Sequence, residues 1–375
     1  MTEHLHIVAF DVPWPADYGG VIDIYFKARA LNHLGVKVHL HCFEYGRKPA
    51  QELASVCHEV HYYHRSTGKR HLLSSLPFII ATRTSDVLLK RLKADRHPIL
   101  FEGLHCCALL DHPDLRDRHK VVRTHNIEHD YYGNLAKVET DPFKRFYFQT
   151  EARKLHRFER QLKHAQAIAS ISAADTRHYA DLGLPAHHVS AFHPNNEVSI
   201  RSGMGKFCLY HGNLAVGENN QAALYLSDKV FSGSEVPLII AGNGASAELR
   251  AKVHGRRNIE LREGISTQEI HELIAEAQVN VLPTFQATGI KLKLLAALHM
   301  GRHCLVNGHM VVGTGLESLC RVENTDRRMR AAVTELMAIP FNDAEVSRRT
   351  KILSADFSNR AGAERLLAIL FGTSN

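Results

Sequence analysis

Two doubly wound α/β domains facing each other across a cleft are the architecture this sequence predicts, and three observations carry that expectation. Short apolar runs alternate with helical runs in both halves of the chain, the pattern of parallel sheets covered by helices. Between the halves lies a polar stretch, residues 197–205, with two glycines and no periodicity, which reads as a linker. At 375 residues, the chain also exceeds what one core of ordinary size accommodates. The expected division is a first domain over 1–196, the linker, a second domain over 206–357, and a C-terminal helix in 358–375 that packs back on the first domain.

In the first half, residues 4–10 (HLHIVAF) read as a buried parallel strand. A long loop through Gly19 and Gly20 follows, then a helix over 21–34 ended by Gly35 and a strand over 37–43, which completes a βαβ unit. No G-x-G-x-x-G follows the first strand, so the nicotinamide fingerprint is absent. Gly19 and Gly20 instead let backbone come close to a ligand at the helix start. A strand over 59–63 leads into a basic run from Arg65 to His71 and an apolar one over 72–80. That order suits a solvated loop before a core segment, and also suits docking on an anionic membrane surface. A helix over 85–96 precedes strands at 98–101 and 120–124. His105 follows the first of these and His125 the second, with Glu128 three residues on. Open α/β sheets bind ligands outside the carboxyl ends of their strands, so both histidines are expected at one cleft. Residues 130–164 are helical with a break at Asp141-Pro142 and a basic outer face, and strands over 165–172 and 189–193 flank a helix over 173–182.

The second half repeats the alternation. Strands are expected at 207–210, 237–241, 259–262 and 279–282, each followed by a helix, then a short strand region near 305–311 and helices over 316–320, 326–337, 343–353 and 361–370. Within it, residues 281–301 (VLPTFQATGIKLKLLAALHMG) pass from strand through a polar turn to a mostly buried helix. Lys291 and Lys293 fall in the first helical turn, where unpaired N–H groups already make the site positive and acidic residues are preferred. An anion held there, most simply a phosphate, would compensate; the plainer reading is that both lysines reach solvent.

Hydrophobic content of 45% and charge of 23% exclude a disordered chain, and a net charge of +7 suits anionic partners without choosing among them. The seven cysteines are scattered with no CxxC and read as reduced core thiols, which points to the cytoplasm. No run of eighteen apolar residues is present. Histidine is abundant at 27 residues, but His58, His61 and His64, like His187 and His188, lack companion ligands at metal spacing, and no DxD ends a strand. No protein-held metal and no cofactor are expected.

The order of these motifs resembles the GT-B glycosyltransferases of the retaining family 4 type, glycosyl transferases group 1, over essentially the whole chain. The 15–20 loop is similar to their glycine-rich loop, Arg123-Thr124-His125-Asn126 to their strand-end histidine motif, and Ser170-Ile171-Ser172 with Asp175 to a further family stretch. His193-Pro194-Asn195-Asn196 stands at the family's hinge, Leu209-Tyr210-His211-Gly212-Asn213-Leu214 at the opening of the donor domain, and 293–301 at its donor helix. The resemblance implies a GT-B fold and a metal-independent transfer of sugar, with retention, from a nucleotide-diphosphate sugar to a glycan or lipid-linked acceptor in polysaccharide synthesis. His125, His105 and Glu128 become the candidate catalytic residues. Gly19, Gly20, Gly212, Asn213, Thr288, Gly289, Ile290, Lys291 and Lys293 become the candidate donor-binding residues. The family's paired glutamates fall on Thr288 and Ala296, and Asn213 with Asn219 or Asn220 stands near its basic pair. Diphosphate recognition therefore passes to the 289–293 helix start, or the protein is a sugar-nucleotide-binding partner without turnover; a UDP-sugar 2-epimerase shares the architecture. Nucleic acid is suggested by charge alone and is not expected as a partner, and contact with the membrane would be peripheral.

Overall fold

The computed structural model describes residues 2–285 and 292–372. Its chain forms two compact units, one made of residues 1–194 with 359–375 and the other of residues 195–358.

Seven parallel strands form the sheet of the first unit: β1 His4–Ala9, β2 Lys37–Glu44, β3 Glu59–His64, β4 Ile99–Glu102, β5 Lys120–Thr124, β6 Ala167–Ser170 and β7 Ala186–His188, in the order β3-β2-β1-β4-β5-β6-β7. β4 and β5 are buried along their whole length, and β1 from Leu5 onward, because helices cover both faces of the sheet. Leu5, Ile7 and Ala9 pack on one side with Ile24 and Leu31 of helix Gly19–His33 and with Ala363, Leu366 and Leu370 of helix Asn359–Phe371. Val8 and Phe101 pack on the other with Leu88, Leu92, Leu155 and Tyr179. Side-chain caps start helices Asp86–Leu92, Pro142–Phe158 and Ala173–Asp181, where Ser85, Asp141 and Ser172 accept from backbone N–H groups of the first turn.

Six parallel strands form the sheet of the second unit: β8 Cys208–His211, β9 Leu238–Ala241, β10 Ile259–Arg262, β11 Val279–Val281, β12 His303–Val306 and β13 Arg321–Val322, in the order β10-β9-β8-β11-β12-β13. Its helix Thr267–Glu276 opens with a reciprocal capping box between Ser266 and Glu269. In both sheets the winding direction reverses once, between β1 and β4 and between β8 and β11. Those reversals leave a crevice at the carboxyl ends of the flanking strands.

Three segments differ from their sequence expectations. Residues 189–193 are not a strand; the carbonyls of Val189 and Ser190 accept from buried Arg123, and Phe192 N–H donates to Asp23 at 2.8 Å, so side-chain charges satisfy groups that a ladder would otherwise take. Beyond β12 the chain turns into the short helix Gly308–Val311 rather than extending. Residues 197–205 are packed rather than loose: Gly203 and Phe341 exchange backbone hydrogen bonds at 2.8 and 2.9 Å, and Gly205 N–H donates to the Gln278 side chain. A cavity of about 620 Å³ beside His119, His187 and Arg365 lies at the amino ends of β5 to β7, the end of the sheet opposite the crevice.

Candidate functional site

At the β1/β4 crevice of the first unit, a buried charge network sets the position of the strand-end histidine. Asp23 and Lys27, one turn apart on helix Gly19–His33, face inward and pair at 2.7 Å. Lys27 Nζ also reaches Glu102, the last residue of β4, at 2.8 Å. Arg123 on β5 pairs with Asp23 at 2.9 Å. Burial pushes the Asp23 carboxyl up, but Arg123 and Lys27 together outweigh it and hold it well below the usual carboxylate range. Two cations thus balance two carboxylates, and His125 joins at the rim, its Nε2 3.1 Å from Glu102 Oε2 with 12% of its side chain exposed. Asp23, Glu102 and His125 are close enough to share a cation, yet Lys27 and Arg123 already fill that electrostatic role.

Phe10 brings the other candidates together. Its ring lies 5.1 Å from that of His105 and 5.6 Å from that of His125, and its carbonyl accepts from buried Arg83 at 2.9 Å. A Cβ on Gly20 would stand 2.5 Å from the Phe10 ring, so the glycine makes room for that ring. Gly19, beside it, faces open space. His105 Nδ1 has no hydrogen-bond partner and lies 3.9 Å from Glu128 Oε1. Burial first, then Arg83 and His125, keep His105 neutral by lowering its pKa well below the usual value. Burial raises Glu128 to about 8 against the pull of Arg83, so its carboxyl is protonated at neutral pH. A neutral acid and a neutral imidazole thus face each other at 3.9 Å, a gap that a proton would cross through one bridging water or after the two close to hydrogen-bond distance.

At the β8/β11 crevice of the second unit, His211 ends β8 with its Nε2 buried and without a hydrogen-bond partner. Burial, helped by Lys293 and His271, lowers its pKa to about 3. The loop after it is pinned from beneath: Leu214 and Ala215 N–H groups both donate to the Asn243 carbonyl. Gly242 carries φ +153°, and a Cβ there would meet the Gly212 carbonyl oxygen at 1.8 Å, so no other residue fits. Gly212 itself lies against Asn219, whose amide donates to the Asn213 carbonyl at 2.9 Å and whose Oδ1 accepts from Lys293 Nζ at 2.5 Å. Lys293, on helix Leu292–Met300, also stands 5.3 Å from the Tyr210 ring centre. Gly212, Asn213 and Lys293 are therefore one cluster, with Thr284 bonded to Glu218 close in sequence to it on both sides. Thr288, Gly289, Ile290 and Lys291 lie outside the described residues.

Residues 205–338 match the family model described as glycosyl transferases group 1. The second unit is a glycosyl transferases group 1 domain, and the chain a glycosyltransferase. A protein of Klebsiella pneumoniae described as an uncharacterized 44.6 kDa protein in the cps region is 25% identical to this glycosyltransferase over 339 residues, 83% of each chain. Among solved structures, sucrose-phosphate synthase of Thermosynechococcus elongatus matches with a TM-score of 0.66 and 11% identity over 97% of both chains. An α,α-trehalose-phosphate synthase (UDP-forming) of Burkholderia xenovorans, in complex with glucose-6-phosphate, matches at 0.61 and 10%, over 98% of this chain and 99% of its own. Medicago truncatula UGT71G1, complexed with UDP-glucose, matches at 0.58 and 10% over 98% of both. At those identities the likeness establishes the GT-B fold.

Asp23, Lys27, Glu102 and His211 were not singled out by the sequence. Asp23 and Lys27 share a helical face with Ile24, Ala28 and Leu31, and a charged pair spaced i, i+4 on an otherwise apolar face is the signal that was available.

Proposed function

We propose that this glycosyltransferase moves a sugar from a nucleotide-diphosphate donor to an acceptor hydroxyl in polysaccharide synthesis, with retention and without a protein-held metal at the reacting bond. The observation that carries the proposal is the pairing of a neutral, unpartnered His211 with the cation Lys293 at the β8/β11 crevice of the group 1 domain. Cleaving the sugar–phosphate bond builds negative charge on the leaving diphosphate, which needs preorganised donors and cations. Lys293 and the pinned 212–216 loop supply them, and His211 has a hydrogen-bonding nitrogen to spare. UGT71G1, of the same fold, was solved with UDP-glucose, and the Klebsiella relative is from a cps region; both agree with such a donor and such a pathway. His125, held by Glu102, is assigned to orienting the reacting sugar, and the His105–Glu128 pair to proton movement. Retention rests on the resemblance of the motifs.

The acceptor is proposed to be a glycan or a lipid-linked one, reached from an anionic membrane face. Leu73, Phe143 and Phe146 of the first unit are 92%, 87% and 67% exposed, and they stand among Lys69, Arg70, Lys144 and Arg145. Lys154 Nζ bonds the Leu72 carbonyl, which places the 69–76 segment beside helix Pro142–Phe158. Among the described residues, no helix is long and apolar enough to cross a membrane.

One residue favours a second reading, binding without turnover. Ala296, where the family carries an acid, is partly buried against the second unit's core and offers no polar group to a ribose. Incubating the protein with a panel of nucleotide-diphosphate sugars and following both binding and release of nucleotide diphosphate separates the two. Binding with release, lost in Lys293→Ala, supports transfer; binding with no release under any acceptor supports the second reading; no binding at all defeats both.

A further inference from the structure

Away from the crevice, at the amino ends of β1 and β2 in the first unit, imidazoles gather from four points of the chain. His4 and His6 come from β1, His39 and His41 from β2, His58 from the start of β3, and His97 from the loop that enters β4. None belongs to the crevice, which lies at the other end of the same strands.

We propose that this rim binds a divalent transition-metal ion of the zinc class through His4, His39 and His97, with His58 in reach as a fourth imidazole. The candidate ligand atoms of the first three all lie within 4.8 Å of one another. His4 Nδ1 and His39 Nε2 are 2.8 Å apart. Zinc–nitrogen bonds of about 2.0–2.1 Å in a tetrahedron separate the nitrogens by about 3.3 Å, a spread of roughly half an ångström for that pair. The His4 and His97 rings stack with centroids 4.7 Å apart, and the His58 ring stands edge-on to His39 at 5.3 Å.

Outer contacts favour the same reading. His39 presents Nε2 to His4 while its Nδ1 lies 3.1 Å from Glu59 Oε2, the carboxylate–imidazole arrangement that fixes a ligand's tautomer and strengthens its donor nitrogen. His97 is on a loop held by two side chains: its N–H donates to Asp95 at 3.0 Å, and its carbonyl accepts from Arg118. His4 and His39 sit on paired strands, and His58 N–H donates to the Val38 carbonyl at 2.8 Å. The backbones of the ligands are thus fixed before any ion arrives, and His4, His97 and His58 retain exposure that lets one enter. An ion here would tie β1, β2 and the β4 entry together, independently of the sugar-transfer reading. Spacing along the chain hid the set, since its members are 35 and 58 residues apart.

The experiment uses the full chain, free of any affinity tag and stripped with chelator, titrated with Co²⁺ and then with Zn²⁺. Expected is one equivalent of Co²⁺ with the intense visible bands of tetrahedral coordination, displaced by Zn²⁺. His97→Ala should lose those bands, and Glu59→Gln should weaken binding about tenfold, the usual effect of removing an outer carboxylate. His156→Ala, in the separate His129, His156 and Glu159 group, should bind as the parent does. Metal-free melting of each variant establishes that it folds. A parent that takes up no stoichiometric Co²⁺, a folded His97→Ala that binds like the parent, or loss of the bands in His156→Ala alone overturns the proposal.

Discussion

Replacing Glu128 by glutamine should stabilise the first unit at alkaline pH and leave it nearly unchanged at acid pH. The carboxyl titrates near 8 in the folded protein against 4.5 as an ordinary glutamate, because burial opposes its charge more strongly than Arg83 favours it. A raised folded pKa means that the protonated form belongs to the native state. Its contribution is complete below pH 4.5 and is lost as pH climbs toward 8, since the unfolded chain gives up the proton and the native one must keep it. At pH 7 the parent has moved 2.5 units past 4.5, and at about 1.4 kcal/mol per unit the loss is about 3 kcal/mol. Glutamine fills the same space and has no proton to lose. The assay is urea unfolding of both proteins at pH 5 and pH 8, read by the fluorescence of Trp14, the single tryptophan, which belongs to the first unit and lies 5.0 Å from Tyr25. The parent's loss between the two pH values should exceed the variant's by a few kcal/mol, and taking the difference cancels every other titrating group. Parallel pH dependence in the two proteins would mean that Glu128 is not held protonated, and the proton-transfer role given to it would go as well.

Other expectations are open to direct measurement. Lys293→Ala should weaken nucleotide-diphosphate binding by about tenfold or more, as for a lost charged hydrogen bond, in calorimetry; unchanged affinity would remove the anion-site argument. His125→Ala should lower the rate of transfer by roughly 10²-fold or more while donor affinity stays within about twofold, and an equal loss in both would make the histidine a binding group only. Asp23→Asn leaves Arg123 and Lys27 short of one buried counter-charge and should cost about 3 kcal/mol or more in the Trp14 transition, whereas a loss below about 1 kcal/mol would show the network to be redundant. A double Phe143→Ser, Phe146→Ser variant should sediment less with vesicles containing anionic lipid and equally little with neutral ones; parent protein that ignores anionic vesicles contradicts the membrane-facing acceptor.

What could be read in advance was whatever the sequence repeats locally. β1, β4, β5, β8 and β11 are buried on both faces, so each appears as a short run built around apolar residues, and the positions just past them locate both crevices. His105 and His125 were found in that way and do share Phe10. What pairs at long range was not legible. Lys293 reads as a lysine out of place in a first helical turn, but its partner Asn219 is 74 residues away. Asp23 looks like an ordinary helical aspartate until Arg123, 100 residues on, closes on it. The polar, glycine-bearing 197–205 reads as a linker because composition does not reveal that Gly203 pairs with Phe341, 138 residues distant, or that Gln278 reaches Gly205.

The helix Asn359–Phe371 has a consequence for the order in which the chain is made. Its Ala363, Leu366 and Leu370 complete a core begun by Leu5 and Ile7, Asn359 bonds His193 through both backbone groups, and Gly362 lies against the Phe192 ring. A ribosome delivers residues 195–358 in full before it delivers these. The second unit can therefore close while the first still waits with one side of its sheet only partly covered, by helix Gly19–His33, and the residues synthesised first are among the last to be sealed.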